Sequence, residues 1–120
     1  MPATEVITSA ANPLVKRIRS LADRRHRRRV GVFVVEGVQP VWRAIEAGWE
    51  IETLVVVAEL LPDSAAGLVA EQESLGVRTA RVSAELAGRI SERDRPPGLF
   101  ALVRERSPAL GSVPVGPDAV

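Results

Sequence analysis

The stretch Val32-Phe33-Val34-Val35-Glu36-Gly37-Val38-Gln39-Pro40-Val41-Trp42-Arg43-Ala44-Ile45 changes its period in the middle. Val32 to Glu36 is β-branched and aromatic, which reads as a short buried strand. After Gly37, apolar residues recur at Val38, Val41, Trp42 and Ile45, the spacing of one helix face. Pro40 falls in the first turn, where backbone N–H groups have no helical partner, and Gly48 stops the helix. A strand that turns directly into an amphipathic helix is the building unit of layered α/β folds.

The same alternation extends outward. Upstream, Asn12-Pro13 is a helix opening, with Asn as the cap and Pro preset for the first helical position. Leu14, Val15, Ile18, Leu21 and Ala22 then form one face of that helix, and Lys16, Arg17 and Arg19 lie on the rest of its surface. Downstream, Ile51 to Ala58 is a second strand, with Leu54 to Val57 covered on both sides. Pro62-Asp63-Ser64 opens a helix that turns Leu68, Val69 and Leu75 inward and stops at Gly76. Val77 to Val82 is a third strand. Ser83 caps a short helix over Ala84, Leu86, Ala87 and Ile90. Ser91 to Gly98 is a polar, proline-containing loop, and Leu99 to Val103 a fourth strand. The expected fold is α/β, a three-layer α/β/α sandwich with a sheet of about four strands.

Immediately before Val32 stands Arg24-Arg25-His26-Arg27-Arg28-Arg29. Five arginines in six positions repel one another, and gathering them stabilises nothing unless a polyanion neutralises them. The net charge of +1 conceals this: residues 1–35 carry eight of the sixteen basic residues and two acids, a formal +6, and residues 36–120 carry −5. Such a basic pole on a mildly acidic body orients a protein on nucleic acid. The basic helix face and the run together make Lys16, Arg17, Arg19, Arg24, Arg25, Arg27, Arg28 and Arg29 the candidate nucleic-acid-binding residues, for RNA or DNA. Alternatively, the run is a solvated loop. Trp42, on the helix stripe, and Phe33 and Phe100, in strands, are expected in the core, and Trp49 stays open between sheet cover and another role.

Catalytic and metal chemistry find little support. The chain has no Cys, no Tyr and a single His, and no set of ligands at metal-binding spacing. Gly31 and Gly37 do not belong to a phosphate-cradling loop. Glu36 ends a strand, where carboxylates can be catalytic. With no second polar group converging on it, its expected role is to accept bonds from N–H groups of the following turn. No catalytic, cofactor or metal residue is assigned. The lack of cysteine, of a signal sequence and of any apolar run near the roughly 18 residues of a membrane helix fits a cytoplasmic protein without membrane contact.

From Ser107 the composition shifts to Ser-Pro, Gly-Ser and Gly-Pro pairs without periodicity. Residues 1–106 therefore read as one domain and residues 107–120 as a linker, or alternatively as a frayed tail.

An ordered set of segments carries a family resemblance. Ile7-Thr8-Ser9, Asn12-Pro13-Leu14-Val15-Lys16 and Arg25-His26-Arg27 lead to Gly31-x-Phe33-Val34-Val35-Glu36-Gly37. Ala44-Ile45-x-x-Gly48 and Arg95-Pro96-Pro97-Gly98-Leu99-Phe100-Ala101-Leu102-Val103 follow. Over residues 6–104 this resembles the N-terminal substrate-binding domain of the SpoU/TrmH family of RNA 2'-O-ribose methyltransferases, in the SPOUT superfamily. The resemblance implies a fold like that of ribosomal proteins that bind kinked RNA. It also implies ribosomal RNA as partner, and a following knotted domain that binds S-adenosylmethionine and forms the homodimer. On that basis Lys16, Arg17, Arg19, Arg25 and Arg27 contact RNA. The Asn-x-Gly-x-x-x-Arg catalytic motif is not in this sequence, so these 120 residues alone are expected to be inactive, free of cofactor and monomeric, a chain truncated at a domain boundary. A stand-alone ribosomal-type RNA-binding protein and an adaptor that docks an acidic protein partner remain the alternatives.

Overall fold

Five strands and five helices alternate through residues 6–91 and 94–105, the part of the chain that the computed structural model describes. They are β1 (Val6–Ile7), α1 (Pro13–Ser20), α2 (Arg24–Val30), β2 (Val32–Glu36), α3 (Val38–Glu46), β3 (Glu50–Val56), α4 (Asp63–Ser74), β4 (Arg78–Val82), α5 (Ala84–Ile90) and β5 (Leu99–Arg104). The strands form one mixed sheet in the order β1-β4-β3-β5-β2. β1 and β3 pair parallel to β4, while β5 runs antiparallel between β3 and β2. Four strands thus point one way and β5 runs against them.

β5 occupies the interior because its sequence allows nothing else. Leu99 to Val103 are all buried, as a strand apolar on both faces requires. Alternate residues feed two cores. Phe100 and Leu102 join Val32, Val55 and Val57 under Val15, Ile18 and Leu21 of α1 and Leu86, Ala87 and Ile90 of α5. Leu99, Ala101 and Val103 join Leu54 and Val56 under Val41 of α3 and Leu68 and Val69 of α4. Helices therefore cover both faces, as the alternating pattern predicts. Each large side chain fully withdrawn from water in this way contributes about 1.5–3 kcal/mol.

The sheet has five strands, one more than expected. β1 is only two residues long and carries no readable period. It is recruited by tertiary pairing, Val6 with Arg81 and Ile7 with Val82, extended by the Ser83 N–H bond to the Ile7 carbonyl at 3.0 Å.

Two side chains depart from expectation, and a third, left open, is settled. Leu75 is 70% exposed because α4 ends at Ser74, and the chain turns away through Gly76, whose φ is 94°. Trp42 is 43% exposed. It lies one position beyond the buried Val41, about 100° further round the helix, which carries its ring off the sheet. Trp49 settles partly buried, its ring edge-on to Phe33 with centroids 5.7 Å apart at 88°. Phe100 is fully buried and Phe33 packs against the second core, as expected. The segment 107–120 read as a linker lies outside the described residues.

Candidate nucleic-acid interface

The basic surface begins on α1. Asn12 Oδ1 accepts the Leu14 N–H at 2.8 Å and fixes the start of the helix. Val15 and Ile18 then turn into the core, which leaves Lys16 and Arg19 exposed on the outer side. Arg17 takes a different course. Its Nη2 donates to Glu52 Oε1 at 2.9 Å, and its Nε is buried without a hydrogen-bond partner.

The arginine run forms a separate helix and not a solvated loop. Asp23 starts it, Oδ1 accepting the N–H groups of Arg25 at 2.9 Å and His26 at 3.4 Å. Gly31 ends it in the left-handed region at φ 71°, where a residue with a Cβ is strained. The like-charged pairs Arg24–Arg28 and Arg25–Arg29 each oppose the helix by about 0.2–0.5 kcal/mol. An Asp cap contributes about 1 kcal/mol, enough to offset them. Arg27, Arg28 and Arg29 in the last turn also suit the helix dipole. A helix of seven residues is marginal alone, and Val30 anchors this one against the first core.

Arg24, Arg25, Arg28 and Arg29 are exposed. Arg27 is partly buried, its Nη1 donating to the Leu21 carbonyl at 3.3 Å. Among the described residues no carboxylate pairs with Lys16, Arg19, Arg24, Arg25, Arg28 or Arg29, whereas Arg17, Arg81 and Arg104 all bridge to glutamates.

Two cavities flank this helix. One, of about 350 Å³, is lined by Arg19 of α1, Arg27 of α2, Val34 and Glu36 of β2, and Arg89 and Ser91 at the end of α5. The other, of about 440 Å³, is lined by Arg24, Arg27 and Arg28, by Val32 to Val34, and by Trp49 and Glu105. Arg27 and Val34 line both. Sequence reading missed Arg89, a lone arginine in the last turn of α5 with no run to mark it. It also expected no second polar group near Glu36. The fold brings one, since Ser91 Oγ donates to Glu36 Oε1 at 2.8 Å across the first cavity.

No group of three or more potential metal ligands occurs among the described residues. No helix among them is long and apolar enough to cross a membrane. The chemistry on offer is electrostatic: guanidinium groups around two clefts, those of Arg19, Arg24 and Arg28 without a carboxylate partner among the described residues, suited to phosphate.

The MRM3-like substrate binding domain model matches residues 12–101. The chain belongs to this family. Solved structures agree. This substrate-binding domain is similar to an RNA 2'-O ribose methyltransferase at 33% identity and TM-score 0.72, over 97% of this chain and 43% of that one. It is similar to an rRNA methyltransferase from Sinorhizobium meliloti at 29% identity and TM-score 0.71, over 85% and 37%. The SpoU methyltransferase AviRb from Streptomyces viridochromogenes, in complex with AdoMet, matches at 27% identity and TM-score 0.64, over 80% and 34%. The domain thus spans less than half the length of the methyltransferases it matches. No curated protein matches it.

Proposed function

We propose that this domain grips RNA, most specifically ribosomal RNA, and presents it to an S-adenosylmethionine-dependent 2'-O-ribose methyltransferase domain outside these 120 residues. The observation that carries the reading is the cationic surface of α1 and α2, on which seven of the eight candidate residues, all but Arg17, have no carboxylate partner among the described residues. Substrate-binding family membership and likeness to an rRNA methyltransferase support the choice of RNA as polyanion.

In this reading, Lys16, Arg19, Arg24, Arg25, Arg28 and Arg29 neutralise phosphates. Arg27 is held over the clefts by the Leu21 carbonyl. Arg17 supports the surface from beneath through Glu52. Phosphate contacts set affinity and register, while RNA shape selects the target. The family resemblance implies a fold like that of ribosomal proteins that hold kinked RNA, and in this reading a bent, structured segment is the preferred ligand. The cofactor, the catalytic arginine and the homodimer contacts belong to the other domain, and the whole works in the cytoplasm. These 120 residues by themselves bind RNA as a monomer and methylate nothing.

A salt titration of binding to a structured ribosomal RNA fragment tests this. Neutralising about four to six phosphates gives a log–log slope of about −3 to −5. Affinity insensitive to salt, or absent, overturns the reading. Binding to an acidic protein that survives nuclease treatment supports the adaptor alternative in its place.

A further inference from the structure

Arg89 belongs to neither basic segment that the sequence marks, yet it lines the same cavity as Arg19 and Arg27. It stands exposed in the last turn of α5, and Arg19 stands exposed in the last turn of α1. The two helices are neighbours over the first core, where Leu86, Ala87 and Ile90 join Val15, Ile18 and Leu21. That packing brings arginines from distant parts of the chain to one cleft. Neither Arg19 nor Arg89 has a carboxylate partner among the described residues. Arg27, from α2, is steadied by its bond to the Leu21 carbonyl at 3.3 Å. Glu36 is the one acid in the lining, so three positive charges meet one negative, a formal +2.

A cation in the last turn of a helix complements the helix dipole, and that alone would account for Arg19 or for Arg89. It does not account for both lining one cleft with a third arginine from another helix, because like charges brought together repel. We propose that this cleft seats one backbone phosphate of RNA, gripped jointly by Arg19, Arg27 and Arg89. Guanidinium groups bind phosphate oxygens through paired, charge-assisted hydrogen bonds. The apolar side chains of Val34 and Ile90 beside them lower the local dielectric and strengthen that attraction. Arg27 and Val34 also line the second cavity with Arg24 and Arg28, so the two clefts adjoin. The seat rests on the RNA-binding reading above, which supplies the polyanion. It adds that the RNA path continues from α2 across Arg27 onto α5.

Phenylglyoxal modifies accessible arginines, and mass spectrometry reads the modification residue by residue. A structured ribosomal RNA fragment protects Arg19 and Arg89 along with Arg24 and Arg28, and inorganic phosphate at the same total phosphate protects none of them. Arg89 modified equally with and without RNA, while Arg24 and Arg28 are protected, overturns the seat and leaves RNA binding standing. Protection of Arg89 by inorganic phosphate but not by RNA makes the cleft a site for a free anion and also overturns it. A double-mutant cycle tests the sharing. Arg19→Ala and Arg89→Ala each lower RNA affinity about tenfold, the loss of a charge-assisted bond. Together they lower it well short of the roughly hundredfold of independent contacts. The log–log salt slope of the double variant becomes shallower by about 0.7–0.9, one phosphate. Additive losses with about twice that change in slope mean two separate phosphates, and the shared seat is wrong. If Arg89→Ala lowers the melting temperature and leaves RNA affinity unchanged, Arg89 serves α5 alone and the proposal fails. No affinity of the wild-type protein for RNA removes both readings.

Discussion

Arg17 and Glu52 meet at 2.9 Å, and Arg104 donates to the same Oε1 at 3.0 Å. A shift of register makes this possible. β3 pairs Ile51 with Val103 and Thr53 with Leu102, so Glu52 is an extra residue in the ladder. Such a bulge re-aims its side chain, here onto the helix that carries the first basic residues. One arginine of the basic pole is thereby tied down, which separates it in role from its neighbours.

Glu52→Gln therefore acts on stability. The bridge is partly shielded, with side-chain exposures of 39% and 23%, so its loss costs about 1 kcal/mol, the upper end for surface pairs. Chemical denaturation reads that loss, and the RNA affinity of the variant stays within about twofold of wild type. A tenfold loss of RNA affinity at unchanged stability contradicts the assignment.

Arg24, Arg25 and Arg28 give the opposite pattern. Replacing all three with Ala lowers RNA affinity and makes the log–log salt slope shallower by about 2 to 3, roughly 0.7–0.9 for each phosphate left without its guanidinium. The melting temperature holds or rises, because exposed like charges are relieved. An unchanged slope places the binding surface elsewhere.

Asp23→Ala removes the cap of α2 and costs that helix about 1 kcal/mol. Amide hydrogen exchange at residues 25–30 speeds up, while β5 at the sheet centre keeps its protection. Equal acceleration in both places means that α2 does not open independently of the core.

Gly98→Ala tests the sheet end. A Cβ at Gly98 lies 2.5 Å from the Leu60 carbonyl oxygen and 2.6 Å from Leu61 Cα, backbone atoms that cannot swing aside. The Gly98 carbonyl also accepts the Val57 N–H at 2.9 Å, joining the end of β3 to the start of β5. The variant loses on the order of 1–3 kcal/mol of stability, or fails to fold, as overpacking predicts. Wild-type stability shows that this approach can relax.

Much of the fold was legible because it is local. The β-branched run at Val32, the helical spacing from Val38, the Asn12-Pro13 opening and the wholly apolar Leu99 to Val103 each specify an element through a period or a cap. Asp23 and Gly31 bracket the arginine run just as clearly, yet the charges overshadowed them, and the sequence reading assigned the run no helix of its own. β1 was not legible, since two residues have no period and need Arg81 and Val82 to become a strand.

The candidate site divides along the same line. The sequence by itself determined that positive charge gathers before β2, because net charge and its position along the chain need no fold to be counted. Only the tertiary structure decided which of those charges stay open. Glu52 reaches Arg17, and Ser91 and Arg89 join Glu36, because the sheet brings residues far apart in the chain within hydrogen-bond reach or around one cleft. Ion pairing and cleft formation depend on distance in space, and distance in space is what a one-dimensional pattern leaves undetermined until strands find their partners.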